Sequence, residues 1–413
     1  MYIQTIPWQA NYDEKEIPPF ELPDPLKSVE GHPIRNTAEW EANRPALLEQ
    51  FCTVMYGHRP GAADKVQYTL LHEKKGVLDG AATMRQIELK FSMNNGKSHK
   101  AVMLLYTPSG ASAEAPVPVF TGLTFNGNHV VSDDPDILVT GTVGEEFRSF
   151  DRTPGAQSRR FPLKEIIGRN FALAVCSYHD FFPDAAAGWS KSILSLFVDE
   201  KEMTPRVPDT SAISVWSWGL SQMLDCLETL PEIDSNAAAV FGHSRLGKTS
   251  LWAGAEDTRF KLVCVNDSGC GGAAPSRRLY GETLYAMCRQ SETGFGHYWF
   301  THTMNEACEA PEKFPIDQHQ LIALIAPRAI AVHSATGDQW ADPRGEYMSL
   351  YEASPVYALY GKETLDSEEP PAPDTPVGTD MSYFLREGQH DILISDWQCY
   401  MDAFDHVLKK AGK

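Results

Sequence analysis

The sequence predicts an α/β architecture, a three-layer sandwich in which a mostly parallel central sheet is covered by helices on both faces. Three observations carry that prediction. Short, almost wholly apolar runs recur at Val117–Phe120, Asn170–Ser177, Asn236–Gly242, Leu262–Asn266, Ala329–Ser334 and Met381–Leu385, and such runs suit strands buried on both faces. Segments with helical spacing alternate with them, as crossovers between parallel strands require. Near the middle, one strand-like run passes through a lone serine directly into a segment of small and apolar residues, Lys248–Ala255. Hydrophobic residues make up 42% and charged residues 22% of the 413, enough apolar side chain for a large core.

Taken in order, Met1 to about Ile34 is rich in Pro and acidic side chains and reads as an arm lying over the body, held through Trp8, Tyr12 and Phe20. Residues 35–413 read as one domain. Asn36–Tyr56 carries Trp40, Leu47, Leu48 and Phe51 at helical spacing and closes at Gly57 before Pro60, a helix with a stop signal. Val66–Leu71, Met84–Phe91 and Ala101–Tyr106 are separated by Gly and Asn and predict antiparallel strands joined by hairpins. Val117–His129 is an apolar run entering a Gly/Asn loop, and Asn170–Ser177 precedes the aromatic loop Tyr178–Asp184. Ala212–Leu230, with Trp216, Trp218, Leu220, Met223 and Leu224, predicts a helix, and Ser395–Leu408 a closing amphipathic one. Gly361–Gly378 is acidic and Pro-rich and reads as a surface loop.

Charge and cysteine usage narrow the function. A formal net charge of −19 opposes binding to nucleic acid or to anionic membrane surfaces. No apolar run approaches the ~20 residues that span a bilayer. Eight cysteines are scattered without a C-x-x-C pair and read as buried thiols. Neither an H-E-x-x-H motif nor a clustered Cys/His ligand set is present, so neither a metal nor another cofactor is called for. The N-terminal residues lack a basic segment followed by an apolar one, which reads as a cytoplasmic protein or as one whose leader has been removed.

The serine stretch reads Gly242-His-Ser-Arg-Leu-Gly-Lys248. A strand, a sharp turn at a serine and a helix make the layout of a nucleophile elbow, which presents the hydroxyl at the end of the sheet of an α/β-hydrolase fold. The spacing is Gly-x-Ser-x-x-Gly, with Leu246 where the usual pattern has glycine. The alternative for these residues alone is an ordinary turn capped by a serine. A serine hydroxyl needs a histidine base, and the base needs an acid that fixes its tautomer. In this fold they follow in the order nucleophile, acid, histidine. His390, in Gly388-Gln-His-Asp391 between the last strand and the last helix, occupies the base's place. His297, His302, His319 and His333 read as structural histidines. The acid has two candidates: Asp338 after the Ala329–Ser334 strand, and Asp267 after the strand that follows the elbow. Asp342 is a third choice.

Five motifs in order resemble the glucuronoyl esterases of carbohydrate esterase family 15, bacterial branch. They are Gly-His-Ser-Arg-Leu-Gly-Lys from Gly242, Asp-Ser-Gly-Cys-Gly-Gly-Ala-Ala-Pro-Ser-Arg-Arg from Asp267, and Asp-Gln-His-Gln-Leu-Ile-Ala-Leu-Ile-Ala-Pro-Arg from Asp317. Asp-Gln-Trp-Ala-Asp-Pro-Arg-Gly-Glu from Asp338 and Gly-Gln-His-Asp from Gly388 complete the set. The resemblance implies an esterase that cleaves the bond between 4-O-methyl-glucuronic acid groups of xylan and lignin alcohols. It implies Ser244 as nucleophile and His390 as base, with the Arg245 N–H and guanidinium at the oxyanion. Lys248 would hydrogen-bond sugar hydroxyls, Trp340 would close over the glucuronoyl ring, and Glu282 is the choice for a further sugar contact. Asp267 stands where many members carry glutamate, so Asp338 is the main partner of the histidine or both share the role. A disulfide of fungal members cannot form, since His243 and Asp391 occupy its positions. The substrate implied is a glucuronate ester or a glucuronoxylan fragment, cleaved through an acyl-enzyme. The alternatives are an acetyl-xylan or other uronate esterase of the same fold, and a sugar-binding protein that has lost catalysis.

Overall fold

The computed structural model describes residues 9–142, 151–202, 209–288 and 297–412, so Trp8 lies outside the described residues. The strands are β1 (Lys65–Val77), β2 (Ala82–Ser92), β3 (Ser98–Pro108), β4 (Val117–Thr124), β5 (Ala172–Ser177), β6 (Ile233–His243), β7 (Phe260–Asn266), β8 (Ala329–Ala335), β9 (Val377–Gly378) and β10 (Met381–Arg386). The helices are α1 (Thr37–Phe51), α2 (Leu163–Gly168), α3 (Ala212–Leu227), α4 (Arg245–Glu256), α5 (Leu284–Cys288), α6 (His302–Ala307), α7 (Gln318–Ala323), α8 (Pro343–Glu352), α9 (Ser354–Leu359) and α10 (Ile394–Lys410).

All the strands share one sheet in the order β1-β2-β3-β5-β4-β6-β7-β8-β10-β9. From β5 to β10 neighbouring strands run parallel, while β1, β2 and β3 form the expected antiparallel hairpins at one edge and β9 pairs antiparallel at the other. The parallel strands have no polar face. On β6, Ala238 and Val240 join one core cluster, and Ala237, Ala239 and Phe241 join the other. The two clusters occupy opposite faces, because successive side chains of a strand point to opposite sides. Helices α3, α4 and α7 contribute to the first cluster, and α2 and α10 to the second. The chain leaves β4 for β5 on one side and returns to β6 on the other. That reversal opens a crevice at the carboxyl ends of β4 and β6.

Side-chain caps set the start of several helices. Asn36 caps α1 by accepting the Glu39 N–H at 3.0 Å, and Ser211 caps α3 through Ser214 N–H at 3.2 Å. Other ends differ from expectation for tertiary reasons. The first helix winds into a wider π turn over Cys52–Tyr56, where the Tyr56 hydroxyl reaches the Gly271 carbonyl at 2.9 Å and its ring stacks on Trp252 at 4.6 Å. Helix α4 begins at Arg245 rather than Lys248. Strand β5 begins at Ala172, since Asn170 has a φ of +64°. The arm touches the body through Asn11, whose carbonyl accepts the Gly281 N–H at 2.8 Å. Tyr12 meets Tyr280 edge-on at 6.0 Å, and Glu14 pairs with Arg278.

Trp397 of α10 is fully buried against Phe241 at 4.8 Å and Phe120 at 5.4 Å, and its indole N–H donates to the Arg160 carbonyl at 2.9 Å. Trp397→Ala is expected to lower unfolding free energy by about 3–5 kcal/mol, measured by urea denaturation.

Candidate active site

The turn at Ser244 is set by the backbone around it. A Cβ on Gly242 would overlap the Leu246 carbonyl, and one on Gly247 would lie 2.9 Å from the Asn266 carbonyl oxygen. Strand β6 and helix α4 therefore close on each other and on β7 only with glycine at both places. Between them Ser244 takes a φ of +59°, a conformation costly for a residue with a side chain. Its N–H donates to Asn266 O at 2.8 Å, and its carbonyl accepts the N–H groups of Gly247 at 2.8 Å and Lys248 at 3.1 Å. The Gly-x-Ser-x-x-Gly spacing thus builds an elbow with Leu246 packed inside, at 2% exposure.

His390 stands beside this turn, its ring 4.4 Å from that of His243. Its Nδ1 is 2.5 Å from Asp338 Oδ2, and Asp338 is buried on the segment after β8. Asp267, at the end of β7 with a φ of +44°, uses Oδ2 to accept the N–H of Asp391 at 3.1 Å. Burial raises the Asp267 carboxyl well above the usual carboxylate range, reinforced by the charges of Asp338, Glu346 and Asp396. Of the two candidate acids, Asp338 makes the hydrogen bond to the imidazole, and Asp267 holds the loop that carries it. Asp342 is engaged elsewhere, by Arg278 Nε at 2.9 Å and as cap of α8.

The loop of His390 is clamped from below. Arg386 is buried, and its NH2 donates to the carbonyls of Gln389 and Asp391, both at 2.8 Å, one on each side of the histidine. Its Nε donates to Asp396 Oδ2 at 3.0 Å. Asp396, fully buried on α10, also accepts the Leu393 N–H at 2.8 Å. His333 Nδ1 lies 3.2 Å and Asn266 Nδ2 3.3 Å from its other oxygen. A buried charge persists when paired and hydrogen-bonded in this way. Sequence reading missed Arg386 and Asp396. The available signal was an arginine and an aspartate inside otherwise apolar strand and helix patterns.

Arg245 carries its guanidinium 4.7 Å from the Trp299 ring and 5.7 Å from Phe125, paired with Asp184. Burial works against the charge, yet Asp184 outweighs it and holds Arg245 above its ordinary range. Asp184 is fully buried and also accepts from the Tyr178 hydroxyl at 2.7 Å, the Tyr298 hydroxyl at 2.6 Å and Trp299 Nε1 at 2.8 Å. The Nε–H of Arg245 has no hydrogen-bond partner among the described residues. Lys248 is buried, and its Nζ donates to Ser268 O at 2.6 Å, Cys270 O at 2.7 Å and Glu282 Oε2 at 2.6 Å. An ammonium has three hydrogens, so in this arrangement Lys248 offers no spare donor and acts as the post that holds Glu282. Glu282 is buried rather than a helix-surface charge, and its N–H donates to Trp340 O at 2.7 Å. Trp340, half-buried, therefore belongs to the same cluster.

His302 and His319 have partners elsewhere, and the His333 ring reaches this network through Asp396. His319 Nε2 is 2.7 Å from Pro23 O, His333 stacks on Tyr400 at 3.9 Å, and His302 pairs with Glu306. The side chain of His297 lies outside the described residues. Two groups bring donor atoms within 4.8 Å of one another as metal ligands would: Asp267, Asp338 and His390, and Glu49, Cys52 and His58. The first is the cluster around His390 described above.

A family model described as glucuronyl esterase, fungi, matches residues 205–361. The chain is 38% identical over 412 residues to carbohydrate esterase MZ0003 from an unknown prokaryotic organism, covering 96% of this chain and 92% of that one. Among solved structures, a glucuronoyl esterase from Solibacter usitatus superposes with a TM-score of 0.88 at 34% identity, over 96% of this chain and 100% of that one. A promiscuous CE15 esterase from the marine bacterial metagenome superposes with a TM-score of 0.85 at 35% identity, again over 96% and 100%.

Arg386→Lys keeps the charge but not the fork that reaches Asp396 and two carbonyls together. The rate at which a fluorophosphonate labels Ser244 is expected to fall about a hundredfold, the effect of a displacement near 1 Å in reacting groups. Unchanged labelling of the folded variant would remove Arg386 from the positioning of His390.

Proposed function

Because the chain belongs to the glucuronoyl esterases of carbohydrate esterase family 15, α/β-hydrolase-fold carboxylic ester hydrolases, we propose that it hydrolyses esters of (4-O-methyl-)glucuronic acid, as in lignin–xylan linkages, through a serine acyl-enzyme. The observation that carries this reading is the alignment of the strained Ser244 turn, the neighbouring His390 and the Asp338 carboxylate on its Nδ1. His390 Nε2 takes the Ser244 proton as the hydroxyl oxygen attacks the ester carbonyl, and Asp338 stabilises the imidazolium without taking its proton. The negative charge that develops on the carbonyl oxygen meets the Arg245 N–H and guanidinium. That cation is already fixed by Asp184 and needs little reorganisation when the charge forms. The alcohol leaves with the proton from His390. Water, deprotonated by the same histidine, then adds to the acyl carbonyl, and Ser244 departs as its hydroxyl.

On the acyl side, Trp340 offers a flat apolar face to the C–H face of the sugar ring. Glu282, held in place by Lys248, offers its carboxylate as the acceptor for a sugar hydroxyl, so Lys248 acts on the sugar through Glu282. A pre-formed site of this kind aligns the ester without ordering long side chains on binding.

The benzyl ester of glucuronic acid is expected to be cleaved much faster than the matching galacturonate ester or an aryl acetate. Cleavage of the aryl acetate alone would leave the serine chemistry standing and remove the glucuronoyl reading. Preference for acetylated xylan would point to the acetyl esterase alternative, and failure of the parent to react with a fluorophosphonate to a binding protein.

Ser244→Ala and His390→Ala should each lower kcat by about 10⁴-fold or more. Asp338→Asn should cost about 10⁴-fold, because the amide reverses the hydrogen bond that sets the imidazole tautomer. Asp267→Asn should cost at most about tenfold. Its Oδ2 accepts the Asp391 N–H rather than bonding the imidazole, and an amide oxygen can still accept that N–H. Equal losses at the two aspartates would reject this division of roles.

A further inference from the structure

At the end of α1, three side chains converge that the acyl-transfer chemistry does not use. Glu49 and Cys52 are three residues apart and share one face of the helix end. The chain then winds through the Cys52–Tyr56 π turn and reverses at Gly57, whose φ is +78° and where a Cβ would overlap the Thr210 backbone. That reversal brings His58 back over the helix end. Its N–H donates to Asp209 O at 2.9 Å, and its ring Nε2 lies 3.0 Å from Glu49 Oε1. The other ring nitrogen, Nδ1, is 3.3 Å from Asp209 Oδ2. Cys52 is 7% exposed and its thiol makes no hydrogen bond among the described residues. It nevertheless points into the cluster, since one donor atom each from Glu49, Cys52 and His58 all lie within 4.8 Å of one another.

We propose that Glu49, Cys52 and His58 bind one Zn²⁺ ion, with Asp209 as the carboxylate that orients the histidine. A thiolate, an imidazole and a carboxylate form a donor set suited to zinc rather than to magnesium or calcium, with solvent completing the tetrahedron. The arrangement around His58 is the one metal-bound histidines use: a carboxylate on one ring nitrogen fixes the tautomer and turns the other toward the ion. Charge is favourable as well. Among the described residues, the charges of Glu49, Asp209 and Glu256 act on Cys52 together with that of Arg59, which is paired with Glu256 at 2.9 Å. As the ion enters between Glu49 and His58, the sulfur–zinc bond replaces the S–H bond and the thiol proton passes to solvent, with no change of oxidation state.

The consequence is mechanical rather than catalytic. Residues 56–58 are already tied to the start of α3, through the Ser211 hydroxyl on Tyr56 O at 2.5 Å and the Ser214 hydroxyl on Gly57 O at 3.2 Å. A bound ion would add α1 to that knot and stabilise the folded chain by mass action.

The test uses the full chain, stripped of metal by a chelator and desalted, with Co²⁺ as a spectroscopic stand-in for Zn²⁺. One Co²⁺ per chain should bind with a thiolate-to-metal charge-transfer band, which Zn²⁺ abolishes by displacement. Zn²⁺ should also raise the unfolding temperature. Cys52→Ser should remove the band, and His58→Gln and Asp209→Asn should each weaken binding about tenfold or more. His390→Ala should leave both readouts intact, which separates this site from the cluster around His390. No charge-transfer band in the parent, or a band that survives Cys52→Ser, overturns the proposal. Should Cys52→Ser fail to fold, His58→Gln decides, because that side chain is 48% exposed and undiminished binding in the variant excludes the site.

Discussion

The structure depends on a backbone approach at Gly242 that leaves no room for a methyl group. Strand β6 must turn into α4 there, and Ser244 is left with a positive φ that few side-chain-bearing residues tolerate. Such strain persists only where the surroundings over-determine it. Here they consist of parallel strands apolar on both faces, a helix that begins at once, and an N–H of the serine itself bonded to the neighbouring strand at Asn266 O. The rest of the site is placed with respect to this turn, because the carboxyl ends of β7, β8 and β10 lie successively beside it in the sheet.

The neighbouring strand ends deliver charge into a region with little water, and the charges are organised in pairs and networks. Arg386 lies between Asp396 and the carbonyls flanking His390. Glu346, fully buried, accepts the N–H groups of Ser268 and Gly269 and the hydroxyls of Ser268 and Ser334, so the loop after Asp267 is held by a carboxylate. Burial alone would neutralise or expel such groups, and their many hydrogen bonds offset that cost. The same reasoning separates the two aspartates near His390. Asp338 reaches the imidazole, whereas Asp267, surrounded by other carboxylates, is pushed toward its neutral form and bonds a backbone N–H.

Rigidity on the other side of the serine comes from aromatic rings gathered around Asp184. Three side chains donate to its carboxylate together with Arg245, so a side chain with long, flexible reach is fixed before any substrate arrives. Lys248 is similarly immobilised through three acceptors. A site built from anchored cations loses little conformational entropy when charge develops in it.

The sequence by itself determined the layers, the order of strands and helices, the serine turn and the histidine before the last helix. These are carried by local signals: apolar runs, helical spacing, glycines and chain order. It also narrowed the acid to a short set of aspartates, and its five motifs identified the family. Only the tertiary structure decided which aspartate meets the imidazole, that Lys248 and Glu282 form a buried pair, and that Arg386, Asp396 and Asp184 matter at all. The reason is physical. A carboxylate's role depends on which donors and charges surround it after folding, and those partners lie up to 130 residues away, as Asn266 and Asp396 do. The same holds for Glu49, Cys52 and His58, whose spacing matches no ligand motif: His58 joins the other two only because a π turn and Gly57 bring the chain back over the end of its own helix.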